Sequence, residues 1–176
     1  MALLDLVFAT GDPGLSVRRV VVDDGLSKLF QVEIEAVCPA DDLALDVFGG
    51  ARAAFSVNGG TLGGVRRWGG VCTRFEQRKA YDEGLATYAI TLRPSLWLLT
   101  QRTNCRVFQH LNVPEIVTRV LAAWEIAPTW SLDLASYPRH EYRVQYAESD
   151  FAFVSRLLEE AGISYRLVFH DDDGSL

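Results

Sequence analysis

Three histidines, His110, His140 and His170, are the side chains of this chain best suited to bind a metal ion or to transfer a proton. A zinc site needs ligands that converge in space, and helical sites are recognised by paired histidines, as in HExxH. These histidines are far apart in the sequence, and none belongs to such a pair. We therefore interpret them as partly exposed residues of strands and loops.

Acidic and glycine-rich stretches resemble functional motifs without matching their spacing. Asp171-Asp172-Asp173-Gly174 lacks the alternating ligands and the distal glutamate of an EF-hand calcium loop, so we predict a solvated hairpin tip. Glu159 and Glu160 are adjacent on a predicted helix, where neighbouring side chains diverge by about 100° and do not face each other. The stretch 58–70 contains no phosphate-binding glycine motif and is interpreted as turns between strands. The sequence therefore predicts no catalytic, cofactor-binding or metal-binding residue, and no cofactor.

Cysteines and tryptophans also have patterns typical of structural residues. Cys38, Cys72 and Cys105 are odd in number and lack CxxC spacing, so we predict buried free thiols and folding in a reducing compartment. The tryptophans lie on predicted apolar faces, where core packing is the main interpretation and a seam between subunits is the functional alternative. They are Trp68, Trp97, Trp124 and Trp130.

Composition argues against several classes of function. The net charge is −6, and the basic residues are scattered, whereas a nucleic-acid partner requires a basic stripe. No stretch approaches the roughly 20 apolar residues of a membrane span. The N-terminus has neither a basic region nor a small-residue cleavage site, so no classical signal peptide is predicted.

Alternating apolar and polar residues dominate the chain before residue 100. Phe30, Val32, Ile34 and Ala36 alternate with polar residues and predict the clearest half-buried strand. Further strands are predicted at 17–22, 53–57, 65–68, 71–77 and 87–92. Gly69-Gly70 is interpreted as a bulge or bend between two of them. So many strands without a long helix between them imply a barrel or a tightly curled sheet.

Helices and strands are mixed beyond residue 100. Asn112 and Glu115 are spaced as an N-cap and its partner three residues later, and Pro114 fits the first helical turn. The apolar stripe that follows comprises Ile116, Val117, Val120, Leu121 and Trp124. A helix is therefore predicted from residue 113 onward.

The segment 141–169 reads as strand, helix and strand. Tyr142, Val144 and Tyr146 alternate with polar residues, which predicts a half-buried strand. Ser149 is the expected N-cap of a helix that Gly162 ends in the left-handed conformation. The helix carries the apolar stripe Phe151, Val154, Leu157, Leu158 and Ala161, and the next strand carries Ile163, Tyr165, Leu167 and Phe169.

The predicted fold class is α+β, with a strand-rich, barrel-like domain over residues 1–100 and a mixed α+β domain over residues 101–176. The last predicted strand runs into a turn with no return strand, which leaves an unpaired edge. We therefore expect the second domain to be truncated at its last hairpin. Either the chain is a piece of a larger protein, or another chain completes the hairpin.

Beyond these patterns, the chain resembles the VgrG family of type VI secretion spikes in three blocks. The first comprises Val144-Gln145-Tyr146, Glu148-Ser149-Asp150, Phe153, Arg156 to Glu160 and Gly162-Ile163. The second comprises Thr91 to Pro94, Leu96 to Leu99, Arg102, Phe108-Gln109 and Val113 to Val117. The third and weaker block comprises Gly25-Leu26-Ser27, Leu29-Phe30 and Thr73-Arg74-Phe75. One departure is His140, which stands where the family usually carries arginine.

The resemblance implies a structural protein that is not an enzyme, with a fold like that of phage tail hubs. It implies a homotrimeric hub that caps a secretion tube of Hcp and binds effectors or spike-tip proteins through further C-terminal parts. Such a protein would be cytoplasmic until assembly and then secreted by the type VI apparatus without a signal peptide. The related alternative is a baseplate hub of a phage tail or another contractile injection system. The alternative of another class is a small soluble enzyme with a dispersed active site.

Overall fold

A computed structural model of the chain describes residues 3–39, 43–59, 64–80 and 85–169. The chain divides into two compact units. Unit 1 contains the residues up to Ser95 together with the segment from Arg166, and unit 2 is Leu96–Tyr165. The predicted domains, 1–100 and 101–176, stay a prediction, because compactness alone does not show that a unit folds independently.

Unit 1 is a curled antiparallel sheet of six strands in the order β1-β4-β5-β6-β3-β2. The strands are β1 (Leu4–Phe8), β2 (Ser16–Asp23), β3 (Gln31–Cys38), β4 (Arg52–Asn58), β5 (Val65–Ala80) and β6 (Ala86–Arg93), with one short helix, α1 (Leu45–Phe48). The edge strands β1 and β2 contact each other. The sheet therefore curls towards closure, as the strand-rich pattern predicts.

The concave side of the sheet holds the core of unit 1. In β3 the predicted alternation is confirmed, since Val32, Ile34 and Ala36 are buried while Glu33 and Glu35 are exposed. Aromatic rings fill the centre, with centroid separations of 5.1 Å for Phe8–Phe48, 4.9 Å for Phe48–Phe75 and 5.5 Å for Phe75–Tyr88. Such ring pairs contribute about 0.5–1.5 kcal/mol each beyond the area that they bury.

Gly69-Gly70 does not separate two strands through a bulge as predicted, because β5 runs unbroken for 16 residues and its register with β4 is continuous from Val65 to Val71. Its first half pairs with β4 and its second half with β6, and the register shifts lie between Cys72 and Arg74 and between Gln77 and Lys79. The two glycines serve close packing instead. A Cβ at Gly70 would lie 2.0 Å from the backbone oxygen of Arg93, and one at Gly69 would lie 2.0 Å from the ring of Phe169.

We expect Gly70→Ala to lower the free energy of unfolding by about 1–3 kcal/mol, because the new methyl group overlaps a backbone carbonyl that cannot rotate away. Gly69→Ala is the matched control. Its methyl group overlaps only the ring of Phe169, a side chain that can move. We therefore expect Gly69→Ala to lower the free energy of unfolding by less than Gly70→Ala does. Urea denaturation of both variants measures the difference, and equal losses would contradict the packing argument.

Unit 2 places two helices against one face of a two-stranded sheet. Its strands are β7 (Thr103–Leu111) and β8 (His140–Ser149), which pair antiparallel, and its helices are α2 (Val113–Ala122) and α3 (Asp150–Glu160). Two 3-10 helices complete the described elements, Ser95–Gln101 and Leu134–Ser136.

The predicted helix starts in unit 2 are confirmed. The side chain of Asn112 accepts a hydrogen bond from the backbone N–H of Glu115 at 2.9 Å, and the carboxylate of Glu115 accepts one from the N–H of Asn112 at 2.9 Å. This reciprocal capping box begins α2. The side chain of Ser149 accepts from the N–H of Ala152 at 3.1 Å and begins α3. Gly162 follows α3 with φ of +67°, the left-handed conformation predicted for it.

Beyond α3, the predicted strand over 163–169 is wrong. Ile163, Tyr165, Leu167 and Phe169 are buried or half-buried and the residues between them are exposed, so the alternation is present. No hydrogen-bonded partner strand lies beside this segment within the described ranges, however. The predicted hairpin tip, 171–174, and His170 lie outside the described residues, as does the predicted truncation. Within 3–39, 43–59, 64–80 and 85–169, no helix has the length and apolar character to cross a membrane.

Candidate functional site

The candidate site is in unit 2, where polar side chains from three separate parts of the chain converge on Asp150. Between Thr103 and Phe108 in β7, every second residue points inward, and the inward set includes Asn104 and Arg106. Arg102, just before β7, continues the same spacing. Asp150 opens α3 and is fully buried, with 0% of its surface exposed.

Both oxygens of the Asp150 carboxylate accept three hydrogen bonds each. Oδ1 accepts from Arg106 Nη2 at 2.5 Å, Gln145 Nε2 at 2.9 Å and Asn104 Nδ2 at 3.1 Å. Oδ2 accepts from Arg102 Nη2 at 2.6 Å, Arg102 Nε at 2.9 Å and Trp124 Nε1 at 2.9 Å. The guanidinium of Arg102 also lies over the Trp124 ring, 4.4 Å from its centroid. The carboxylate thus joins β7, β8, α3 and the segment after α2.

The electrostatics of this cluster hold Asp150 ionised. Burial by itself would raise the pKa of the carboxyl, but hydrogen bonds from Gln145, Asn104, Trp124 and Arg102 outweigh burial and lower the pKa to about 2. Because its lone pairs are occupied by six donors, the carboxylate is not available as a general base or metal ligand. The cluster is therefore a structural centre of unit 2.

The lowered pKa predicts that the stability of the chain depends on pH. A group whose folded pKa lies below its unfolded pKa stabilises the protein above the unfolded pKa, and this contribution is lost as pH falls through the folded value. For Asp150, with a usual pKa of 3.8 and a folded pKa of about 2, the contribution is about 2 kcal/mol, complete above about pH 5 and declining towards pH 2. Urea unfolding of wild type and Asp150→Asn across this range measures it. The difference in free energy of unfolding between the two proteins should narrow as pH falls. A constant difference would contradict the lowered pKa of Asp150.

The predicted burial of the tyrosine face of β8 is wrong. Tyr142, Val144 and Tyr146 are 62%, 40% and 79% exposed, whereas Gln145 on the opposite face is fully buried. The inward face carries Gln145 because Arg106 Nε donates to its Oε1 at 2.8 Å and its own amide donates to Asp150. Arg143 shares the inward face and pairs with Glu160 at 3.0 Å.

The outward side of this two-stranded sheet forms an uncharged, largely apolar surface, which we call the outer face of β7–β8. It comprises Cys105, Val107, Tyr142, Val144 and Tyr146, of which Val107 is 62% exposed and lies opposite Val144 in the register. Cys105 is exposed, so the prediction of a buried thiol is wrong there, although it is confirmed for Cys38 and Cys72. Burial raises the pKa of the Cys72 thiol to about 11, which keeps that thiol protonated and unreactive.

Among the described residues, the other side chains singled out from the sequence do not come together as a site. His110 is exposed and His140 is half-buried in β8. No cluster of three or more histidine, cysteine or acidic side chains placed to hold a metal is present among the described residues. Glu159 is exposed, and Glu160 forms ion pairs with Arg143 and Arg156. Of the tryptophans, only Trp68 is buried, and Trp124 contributes its N–H to Asp150.

Unit 1 has a second surface feature, a shallow groove on the outside of its sheet. Its floor consists of the small residues Ala89 and Thr91 on β6. Charged side chains line its two sides, Glu33 and Glu35 on β3 and Arg74 and Arg78 on β5. Arg19 and Val21 on β2 lie beside these glutamates, so the groove is lined by charges of both signs, in contrast to the outer face of β7–β8.

Comparison with known proteins identifies relatives that span both units. The family model described as phage tail baseplate hub (GPD) matches residues 23–176. The type VI secretion system spike protein VgrG1c of Pseudomonas aeruginosa is 36% identical over 156 residues, which are 88% of this chain and 21% of that protein. The chain spans about a fifth of the length of the curated relatives it matches most fully.

Solved structures of tail and secretion proteins are similar to this chain as well. One is the Escherichia coli c3393 protein, which is described as a type VI secretion component similar to the T4 bacteriophage tail proteins gp27 and gp5. It superposes on this chain with a TM-score of 0.82 and is 27% identical to it. The match covers 94% of this chain and 45% of that chain. A 43 kDa tail protein of prophage MuSo2 from Shewanella oneidensis superposes with a TM-score of 0.57 and 14% identity over 81% of this chain and 49% of that chain, which shows the fold alone. The predicted fold class, α+β and like a phage tail hub, is confirmed.

Proposed function

The chain belongs to the phage tail baseplate hub (GPD) family, and on that premise we propose that it forms part of the hub of a type VI secretion spike. The resemblance to VgrG spike proteins that the sequence predicts is confirmed by these relatives. In the proposed assembly, three copies form a ring that caps the Hcp tube, and further parts of the spike carry effectors or spike-tip proteins. The two units act as two hub domains divided near residue 100.

The observation that carries this proposal is the extent of the similarity to spike proteins. An identity of 36% extends over 88% of the chain, so it includes the sheet of unit 1 and the Asp150 cluster of unit 2. The superposition on the c3393 protein extends over 94% of the chain. A match confined to one unit would support only a shared module, whereas this one supports a shared role.

The physical character of the chain suits a part that transmits force or holds a position. Its most buried carboxylate is committed to structure, since Asp150 accepts six hydrogen bonds. The curled sheet is fixed by a dense aromatic core. We propose that the protein is not an enzyme, that it resides in the cytoplasm until assembly, and that the type VI apparatus exports it. Its net charge of −6 does not favour nucleic acid as a partner.

A second candidate is a hub of a phage tail baseplate. The description of the matching family and the superposition on a prophage tail protein favour it. The type VI role is the stronger proposal because the identity to spike proteins is 36%, against 14% to the prophage tail protein.

A chimera tests the type VI role. In Pseudomonas aeruginosa, the matched region of VgrG1c is replaced by this chain, and release of the spike and of Hcp into the medium is measured. We expect the chimera to support release. The control is the same chimera carrying Asp150→Asn, which weakens the fold of unit 2 and is expected to reduce release. A stable, soluble chimera that releases neither protein would contradict the proposal.

A further inference from the structure

Residues Arg166–Phe169 form a strap that belongs to unit 1, although the whole of unit 2 separates them from the rest of unit 1 in the sequence. We propose that this strap also docks on unit 1 of a second copy, in the place that it occupies on its own unit 1. Such an exchange of an identical element is a domain swap. The inference rests on the proposed function, in which several copies assemble into one hub, and it adds an element that joins neighbouring copies.

The strap fits closely into its place on unit 1. The ring of Phe169 lies against Gly69 of β5, where a Cβ would be only 2.0 Å from two of the ring carbons. Leu167 packs against the core of unit 1, and the exposed residues Arg166 and Val168 alternate with these two anchors. We call the space over Gly69, together with the part of the core that Leu167 contacts, the slot. Glycine at position 69 keeps the slot open to an aromatic ring.

The strap is attached through side chains and not through a strand ladder. No backbone hydrogen bond joins Arg166–Phe169 to another residue that the structure describes. A segment held by a few apolar contacts opens at a lower free energy than a core strand does. Because the strap is not a member of the six-stranded sheet, its release leaves that sheet paired.

A second copy is the occupant that the slot favours, because the slot already holds the same segment of its own chain. The strap of another copy has the same sequence, so it makes the same contacts with Gly69 and with the core. Strap and slot are different surfaces, so the contact runs head to tail from each copy to the next. Contacts of this kind generate a ring when the rotation between copies closes, as it must for three copies.

Exchange depends on how many copies are held close together. In the isolated chain, the covalently attached strap competes for the slot at an effective concentration in the millimolar range. Equal net charges of −6 also oppose the close approach of two copies. The wild-type chain alone is therefore expected to be a monomer at micromolar concentration. Exchange becomes favourable where other contacts of the assembly hold the copies together.

Two variants that cannot fill their own slots test the exchange by complementation. Gly69→Val blocks the slot and leaves the strap intact, whereas Leu167→Ser combined with Phe169→Ser disables the strap and leaves the slot open. The unlabelled slot-blocked chain is added to the isotope-labelled strap-disabled chain, and amide NMR signals are recorded. We expect the signals of β5 around Gly69 to move back towards their wild-type positions as the added chain increases to about 1 mM, the range expected for so few apolar contacts.

The matched control is a chain with all three substitutions, which has no intact strap to donate and should leave these signals unchanged. Added salt should enlarge the effect of the slot-blocked chain, because it screens the repulsion between two acidic chains. If Gly69→Val unfolds unit 1, Gly69→Ala takes its place, since its methyl group already overlaps the ring of Phe169. No movement around Gly69, or equal movement with the control, would overturn the inference. The chimera could still release the spike in that case, so the proposed function is judged separately.

Discussion

Asp150→Asn is expected to lower the free energy of unfolding at neutral pH by about 2–4 kcal/mol, because a neutral amide replaces a buried carboxylate that accepts six hydrogen bonds. The substitution keeps the shape of the side chain but removes its charge. Arg106 and Arg102 would then face a neutral amide, and the new NH₂ group would point at donors that now converge on a carboxylate. The loss arises from unpaired charge and not from a cavity.

Urea unfolding measures the loss in the whole chain. Hydrogen exchange of the amides in β7, β8 and α3 then measures the loss within unit 2. Glu159→Gln is the matched control, because it removes one acidic charge from an exposed position of the same helix. Its effect should stay within about 0.5 kcal/mol. If Asp150→Asn costs less than about 1 kcal/mol, the carboxylate does not organise unit 2 in the way that its contacts indicate.

Leu158→Ala is expected to cost about 2–5 kcal/mol, because it removes buried methyl groups and leaves a cavity that close-packed neighbours fill only in part. Leu158 is 5% exposed and lies on the same side of α3 as Val154 and Leu157, which are also buried. The predicted stripe on this helix is thereby confirmed at its centre.

Chemical denaturation measures the loss, with Glu159→Ala as the control at the next residue of α3. The control changes an exposed side chain and should alter stability only slightly. A Leu158→Ala variant within about 1 kcal/mol of the wild type would mean that α3 packs less tightly than the structure indicates.

Local patterns predicted the features whose causes are local. The capping box of Asn112 and Glu115, the N-cap at Ser149 and the left-handed Gly162 each depend on residues within a few positions of one another. The alternation in β3 was equally informative, since one face of that strand is apolar and the other is charged. In β3 the apolar residues of the sequence are the buried ones and the charged residues are the exposed ones.

The burial of the face of β8 that carries Tyr142, Val144 and Tyr146 was predicted wrongly for a physical reason. A period of two shows which residues share a face, but it does not show which face is buried. In β8 the buried face is the one that carries Gln145, because Asp150 and Arg106 satisfy its amide. Arg102, Asn104 and Arg106 stand at alternate positions, but a solvent-facing side of a strand has the same pattern, so their spacing does not identify the shared partner Asp150.

Contacts distant in sequence account for the other errors. Gly70 looked like a bend, yet it is required by the backbone of Arg93 on the next strand. The residues 163–169 alternate as a strand would, but a strand is defined by its neighbour, and none is paired with them in the part of the chain that the structure describes.

The unbroken run of β5 has a mechanical consequence. Because Val65–Ala80 is bonded along its first half to β4 and along its second half to β6, a pull along its axis loads both ladders in shear. Hydrogen bonds loaded in this direction must yield together, whereas bonds at a peeled edge yield one at a time. The strand therefore ties β4 to β6, and the three strands resist a pull along this axis as one unit.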